Sequence, residues 1–270
     1  MIKFMSFSSG SCGNCYWFGD DKKGLLIDAG VSLRHLKKLM ALHGLDENSF
    51  SSILVTHDHM DHIRSLGSYC KRLCKPVYAT TVLHEALIHH SFARPSIMGC
   101  RRDLLEGEWN DVDGFKVRYF VVPHDATQTV GYAIDYEGFK FVIMTDLGRI
   151  TDEAVEFASQ ADAVVIESNY DTDMLLGGKY THELKMRICQ GNGHLSNDEC
   201  ASAIKRFWHE GLNFIFLCHL SENNNTPELA FEASAEVLRS IDAGNGYSAK
   251  QVTNLQTLPR SRPSQVYNLQ

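Results

Sequence analysis

The stretch Thr56-His57-Asp58-His59-Met60-Asp61-His62 limits this chain more than any other feature. The apolar tripeptide before it, Ile53-Leu54-Val55, reads as a short buried strand. A strand that stops at such a loop holds imidazoles and carboxylates in a small volume. By alternation His57 and His59 face one way while Asp61 and His62 reach another, which suits two neighbouring metal ions. A histidine-rich loop can arise by accident, but three histidines and two aspartates in this order argue against it.

A site of this kind needs donors from other strand ends, and the chain offers them. Val121-Val122-Pro123-His124 places a histidine just past an apolar run, with Pro123 fixing the exit. Phe141 to Asp146 and Phe216 to His219 repeat the pattern with a carboxylate and a histidine, and Leu25-Leu26-Ile27 ends at Asp28. A single strand-end His or Asp is usually structural. As a set they supply nitrogen and oxygen donors for two ions. Between these runs lie helical patterns. Ser32 caps a helix carrying Leu33, Leu36, Leu39 and Met40 on one face. Further helices are expected over 63–72, 81–90, 152–161 and 181–188, and one from Pro227 to position 241. Ser196 and Glu199 form a capping box for a helix over 198–210. His84, His89 and His90, on or near the 81–90 helix, read as packing or surface histidines. The polar tail 251–270 reads as an edge strand or a loose end. Strand-rich stretches alternate with helices, and no repeat or linker divides them. The expectation is one domain, 1–270, of α/β class with layers in the order αββα.

Composition narrows the function. With 270 residues the chain can bury a large core. No apolar run approaches the roughly 20 residues of a membrane span, and the start lacks a signal-peptide pattern, so cytoplasmic residence is expected. The eight cysteines are scattered, not arranged as a disulfide framework. Cys12 and Cys15 form a C-x-x-C with no second pair at zinc-ribbon spacing. A net charge of −7 argues against a generally basic, nucleic-acid-coating surface, but not against local binding. Arg34, Lys37, Lys38, Lys71, Arg72, Lys75, Arg101 and Arg102 are candidate strand-tracking cations.

In order and approximate spacing, Asp28, His57-x-His59-x-Asp61-His62, His124, Asp146 and His219 resemble the metallo-β-lactamase superfamily across nearly the whole chain. The resemblance implies that His57, His59 and His124 hold one divalent ion and Asp61, His62 and His219 a second. It implies that Asp146 bridges the two and that Asp28 orients the loop. Zn²⁺, Mn²⁺ and Fe²⁺ all suit these donors. Glu167, at another strand end, and His194, just before the Ser196 cap, resemble a pair in ribonuclease Z and related phosphodiesterases, in which the glutamate orients a histidine that acts on the phosphate. Ser9-Gly10-Ser11-x-Gly13-Asn14-Cys15, Glu167-Ser168-Asn169-Tyr170-Asp171, Gly193-His194-Leu195-Ser196-Asn197 and His219-Leu220-Ser221-x-x-Asn224-Asn225 resemble the YycJ/WalJ branch, a compact bacterial set of 5′-to-3′ DNA exonucleases. Asp146 and His219 are only 73 positions apart, which leaves no room for a β-CASP insertion.

The implied activity is phosphodiester hydrolysis by a hydroxide shared between two metal ions, with Asp61, His194 and Glu167 as catalytic residues. Ser196 and Asn14 would contact substrate phosphate, and DNA stands ahead of RNA as substrate. No membrane association and no obligate protein partner is expected. The alternative is a small-molecule hydrolase, thioesterase or lactamase-like, on the same metal site.

Overall fold

The computed structural model describes residues 1–91 and 93–270, and of Pro95 only the backbone. The chain divides into two compact units. The first comprises 1–119, 126–128 and 259–270, and the second 120–125 and 129–258.

The first unit holds a mixed sheet built from β1 (Lys3–Gly10), β2 (Gly13–Gly19), β3 (Gly24–Ile27), β4 (Ser52–Leu54), β5 (Val77–Ala79), β6 (Arg101–Asp103) and β14 (Tyr267–Asn268), in the order β14-β1-β2-β3-β4-β5-β6. From β3 to β6 the strands are parallel. Among the described residues the helices of this unit are α1 (Leu33–Leu42), α2 (Met60–Ile63), α3 (Leu66–Leu73), α4 (Thr81–His89) and α5 (Arg94–Cys100). Trp17, Leu26, Ile53, Leu36, Met40, Leu66 and Tyr69 belong to one buried cluster. Each such large side chain removed from water contributes about 1.5–3 kcal/mol. The hairpin of β7 (Asn110–Val112) and β8 (Phe115–Val122) pairs Asn110 with Val117 and Val112 with Phe115.

The second unit contains β9 (Thr129–Tyr136), β10 (Phe139–Met144), β11 (Ala163–Glu167), β12 (Phe214–Cys218) and β13 (Asn254–Thr257), in the order β13-β12-β11-β10-β9. The strands β10, β11 and β12 run parallel. Their sequences are nearly continuous apolar runs, as parallel strands covered on both faces require. The helices are α6 (Asp152–Ala158), α7 (Thr172–Gly177), α8 (His182–Cys189), α9 (Asn197–Phe207), α10 (Pro227–Ser240) and α11 (Ala249–Val252). Cys200, Ala203, Ile204 and Phe207 share the buried core with Val164, Ile166, Ile215 and Leu217.

Most expected elements are present, with instructive differences. The single helix expected over 63–72 is two, because the backbone leaves helical hydrogen bonding at Ser65, whose N–H donates to Ala29 O at 3.0 Å. The first of these begins earlier, at Met60, inside the His/Asp loop. A helical turn, not strand alternation, therefore separates Asp61 and His62 from His57 and His59. The helix expected over 152–161 stops at Ala158, and the one over 198–210 spans Asn197–Phe207. The tail is ordered as edge strands, β13 in one sheet and β14 in the other. Among the described residues no helix is long and apolar enough to cross a membrane.

Candidate metal centre

In the first unit the parallel strands β3 and β4 end side by side, and their carboxyl ends deliver the chemistry. Asp28 follows β3 with φ at 62°, a left-handed conformation that costs energy for a side-chain-bearing residue. Its carboxylate is fully buried. Oδ1 accepts the Thr56 N–H at 2.8 Å, and Oδ2 accepts the Thr56 hydroxyl at 2.8 Å and His62 Nδ1–H at 2.6 Å. That bond fixes the His62 tautomer with its lone pair on Nε2, the arrangement of a metal-ligating histidine backed by a carboxylate. Nε2 lies 3.6 Å from Asp61 Oδ2. The His57 ring centroid lies 4.8 Å from that of His59 and 4.0 Å from that of His62. Asp58, between them, accepts from the Thr127 N–H at 3.2 Å and from its hydroxyl. Gly30 permits the close approach that packs this loop, since a Cβ there would sit 1.7 Å from Asp61 O.

Asn14 lies beside the His/Asp loop. It is fully buried, and its side-chain N–H groups face Gly10 O at 3.2 Å, Asp61 Oδ2 at 3.1 Å and His62 Nε2 at 2.8 Å. Its carbonyl accepts from Tyr16 Oη. Asn14 is thus engaged with two residues of the His/Asp loop. Of the C-x-x-C pair, Cys12 is exposed and Cys15 is buried in β2, where burial pushes its thiol pKa up.

The second unit repeats the device. The parallel strands β10, β11 and β12 end at or just before Asp146, Glu167 and His219, and β8 ends two residues before His124. His219, like Asp28, has a positive φ, 52°. Ligand atoms of Asp146, Glu167, His194 and His219 all lie within 4.8 Å of one another. Glu167 is fully buried and accepts four hydrogen bonds. Oε1 takes His194 Nδ1–H at 2.7 Å and His219 Nδ1–H at 2.9 Å. Oε2 takes the Leu147 and Leu195 N–H groups at 3.0 and 3.1 Å. Burial alone would raise the Glu167 pKa, but the facing His194 and the histidine hydrogen bonds bring it below its ordinary value. For His194 burial acts downward, and the charge and hydrogen bond of Glu167, joined by Asp146, outweigh it and raise the pKa. His124 donates Nδ1–H to Gly193 O at 2.7 Å, and its Nε2 lies 3.9 Å from Asp146 Oδ1. Burial lowers its pKa, which keeps the imidazole neutral as a ligand must be. The His194 ring lies 5.0 Å from His124 and 5.4 Å from His219.

Ser196 forms the expected capping box with Glu199. It is buried, its hydroxyl accepts the Glu199 N–H at 3.1 Å, and its own N–H donates to Glu199 Oε2 at 2.8 Å. The hydroxyl completes the capping box of α9 as an acceptor. Several residues carry the site without having been singled out individually. Asn197 and Asn225 exchange two reciprocal amide hydrogen bonds of 2.9 Å. Ser168 Oγ donates to Asn197 Oδ1 at 2.7 Å, and Asn225 Nδ2 reaches the Ser168 and Asn169 carbonyls at 2.9 and 3.0 Å. Asn169 Nδ2 donates to His219 O at 2.8 Å. This buried network ties the segments after β11 and β12 and at the start of α9 to one another. The three asparagines and the serine sit in short polar motifs after strand ends and at a helix start, and their polarity alone gives no sign of burial.

The donor chemistry fits a metal in both units. His62 and His219 have Nδ1–H on a carboxylate and His124 has it on a carbonyl, so each turns Nε2, with its lone pair, the other way. Imidazoles with aspartates suit zinc, manganese and iron.

Comparison with known proteins agrees with this chemistry. The model of the β-lactamase superfamily domain matches residues 24–215. Exodeoxyribonuclease YycJ of Bacillus anthracis is 34% identical over 245 residues, covering 91% of this chain and 92% of that protein. Exodeoxyribonuclease WalJ of Streptococcus pneumoniae is 31% identical over 250 residues, covering 92% and 93%. Among solved structures, the metallo-β-lactamase fold protein YhfI from Bacillus subtilis has a TM-score of 0.69 at 15% identity, covering 97% of this chain and 98% of that one. Zn²⁺-bound PqqB from Methylobacterium extorquens has a TM-score of 0.69 at 16% identity, covering 97% and 99%. At such identities these two show the fold alone, and it is the αββα fold expected from the sequence. The chain belongs to the β-lactamase superfamily of hydrolases, in the branch that includes the YycJ and WalJ proteins.

Proposed function

We propose that this chain is a divalent-metal-dependent phosphodiesterase that degrades DNA from the 5′ end. The observation that carries the reading is the 2.7 Å bond between Glu167 and His194, beside Asp146 and His219. Thioester or lactam hydrolysis gives such a carboxylate-held imidazole no necessary task. The names of the YycJ and WalJ relatives support the choice of DNA.

The reading assigns His57, His59 and His124 to one ion, Asp61, His62 and His219 to a second, and Asp146 to both, within one domain spanning 1–270. When bound, such ions supply Lewis acidity and acidify water for attack at phosphorus. The chain's own residues do the rest. Asp28 and Glu167 hold His62 and His219 in the ligating tautomer. Glu167 also fixes His194 through Nδ1–H, so that Nε2 is the atom that donates to a phosphoryl oxygen or protonates the leaving oxygen. Asn14 and Ser196 act by positioning, not by contact with substrate.

The test is degradation of 5′-phosphorylated single- and double-stranded DNA and RNA with Mn²⁺ or Zn²⁺, comparing wild type with Asp61→Ala and His194→Ala. Stepwise loss of nucleotides from the 5′ end of DNA, abolished by both substitutions, is expected. Thioester or lactone turnover that needs Asp61 but tolerates His194→Ala, without nucleolysis, would overturn the reading.

A further inference from the structure

The eight candidate cations have different fates. Arg101 pairs with Glu85 at 2.7 Å and Asp103 at 2.8 Å, so its charge is already answered. Lys75 lies 4.6 Å from the centroid of the Phe50 ring and donates to Phe50 O, and burial lowers its pKa. Arg102 donates to Arg101 O at 2.7 Å. Three others converge. Arg34 and Lys37 of α1 and Arg72 of α3 line one cleft of about 460 Å³ together with Ser32, Leu33 and Ser68.

Helix geometry explains the convergence. Arg34 and Lys37 are three apart on α1, and Ser68 and Arg72 are four apart on α3, so each helix presents one edge carrying its pair. The apolar positions of the same helices, Leu33, Leu36, Leu39 and Met40, and Leu66, Tyr69 and Cys70, are buried. Among the described residues Arg34 and Arg72 make no ion pair. Lys37 pairs with Glu47 at 3.0 Å through side chains more than two-fifths exposed, a link weak enough to be exchanged for another anion. The amino end of α1 opens beside Ser32 and adds its positive dipole to the same place.

The cleft is also tied to the candidate metal loop. Ala29 N–H donates to His62 O at 2.7 Å, Ser65 N–H to Ala29 O at 3.0 Å, and Tyr69 Oη to Val31 O at 2.7 Å. Both walls are therefore held in register with Asp28 and His62. In a chain of net charge −7, two unpaired guanidinium groups and an exchangeable ammonium around one concavity form an anion site. Arginine suits phosphate through its planar pair of donors.

Building on the nuclease reading, we infer that this cleft binds backbone phosphates of the nucleic acid strand away from the phosphate that is cut. It contributes affinity and register, not chemistry. The test compares wild type with Arg34→Glu/Arg72→Glu and Arg34→Lys/Arg72→Lys, all loaded with Mn²⁺. Fluorescence anisotropy follows binding of a 5′-phosphorylated, phosphorothioate-linked single strand across a salt series. Turnover of thymidine 5′-(p-nitrophenyl phosphate), which has no neighbouring phosphates, is measured in parallel.

Loss of two phosphate contacts lowers the slope of log affinity against log salt by about 1.4 for a single strand. The Glu pair is expected to show that change, with at least a tenfold loss of affinity at low salt. The Lys pair should retain most of the slope, and small-diester turnover should be unchanged in both. Equal affinity and slope in wild type and the Glu pair, while wild type degrades DNA, would overturn the inference. Equal loss on the small diester would overturn it too, since the defect would then lie in the fold or the chemistry. Wild type that binds through these arginines but cuts no nucleic acid would keep the cleft and refute the nuclease reading.

Discussion

Replacing Glu167 by glutamine changes one oxygen to an amide with almost no change of volume, and the consequences can be counted. The wild-type carboxylate answers four donors, His194 and His219 through Oε1 and the Leu147 and Leu195 amides through Oε2, in a fully buried position. A glutamine has one acceptor oxygen. If that oxygen faces the histidines, the new NH₂ points at two backbone N–H groups. If it flips, the NH₂ points at two imidazole N–H groups. Either orientation orphans two buried donors, at about 1–3 kcal/mol each, so Glu167→Gln should cost roughly 2–6 kcal/mol of stability. That is a large part of the 5–15 kcal/mol typical of a folded protein. Urea denaturation followed by circular dichroism measures it, and nucleolysis on the still-folded fraction reads the second effect, loss of the His194 orientation, as a drop of about 10²–10⁴ in kcat. A glutamine variant within 0.5 kcal/mol of wild type and fully active would refute the assignment of Glu167 as the common acceptor.

Other outcomes follow from the same geometry. Asp28→Asn keeps a residue tolerant of positive φ but loses the acceptor for His62 Nδ1–H, so metal affinity measured by calorimetry should fall about 10–100-fold with the fold retained. Ser196→Ala removes the cap of α9 and should cost about 1 kcal/mol in urea titration. Its rate of DNA degradation should be unchanged, whereas a large loss of rate would restore Ser196 as a substrate contact. His84 is buried, its Nε2–H donating to Arg102 O at 3.1 Å with Asp103 at 3.7 Å, and burial lowers its pKa. The unfolded chain therefore binds the proton first: stability is present above the unfolded value of about 6.5 and is lost as pH falls below it toward the lowered folded value. His84→Gln should flatten that acid limb in urea midpoints measured from pH 8 to pH 5.

Much of the centre was legible because strand ends have a strong signature. Apolar runs such as Phe141 to Met144 and Phe214 to Cys218 stop abruptly at a carboxylate or histidine, and buried parallel strands leave no other reason for the pattern. The short edge strands were not legible. β6 reads Arg-Arg-Asp and β13 reads Asn-Leu-Gln-Thr, and neither alternates or is apolar, since each is paired on one side only. The break at Ser65 was hidden as well, because its cause, a hydrogen bond to Ala29, lies far off in sequence. The hydrogen bonds of Asn14 and Ser196 were hidden for a related reason. Both have the chemistry to bind phosphate, and only the fold shows those groups already engaged. The asparagine pair Asn197 and Asn225 was invisible because an amide satisfied by another amide leaves no periodic trace.

The way β1 is completed has a consequence for biosynthesis. Ser6 N–H bonds to Ser264 Oγ across 258 positions, and Ser6 O accepts from Ser264 N–H, while β14 borders β1 through Lys3 and Phe4. The second unit, by contrast, is nearly one continuous stretch that ends at Leu258. A ribosome adding about 5–20 residues per second reaches Ser264 some 13–50 s after Ser6. For that interval the first strand to emerge has an open edge, and the second unit receives its own last strand, β13, at Thr257, seven residues before Ser264 is made. Nascent chains stalled before Pro259 should therefore protect β10–β12 from protease and leave β1 open to capture by a chaperone.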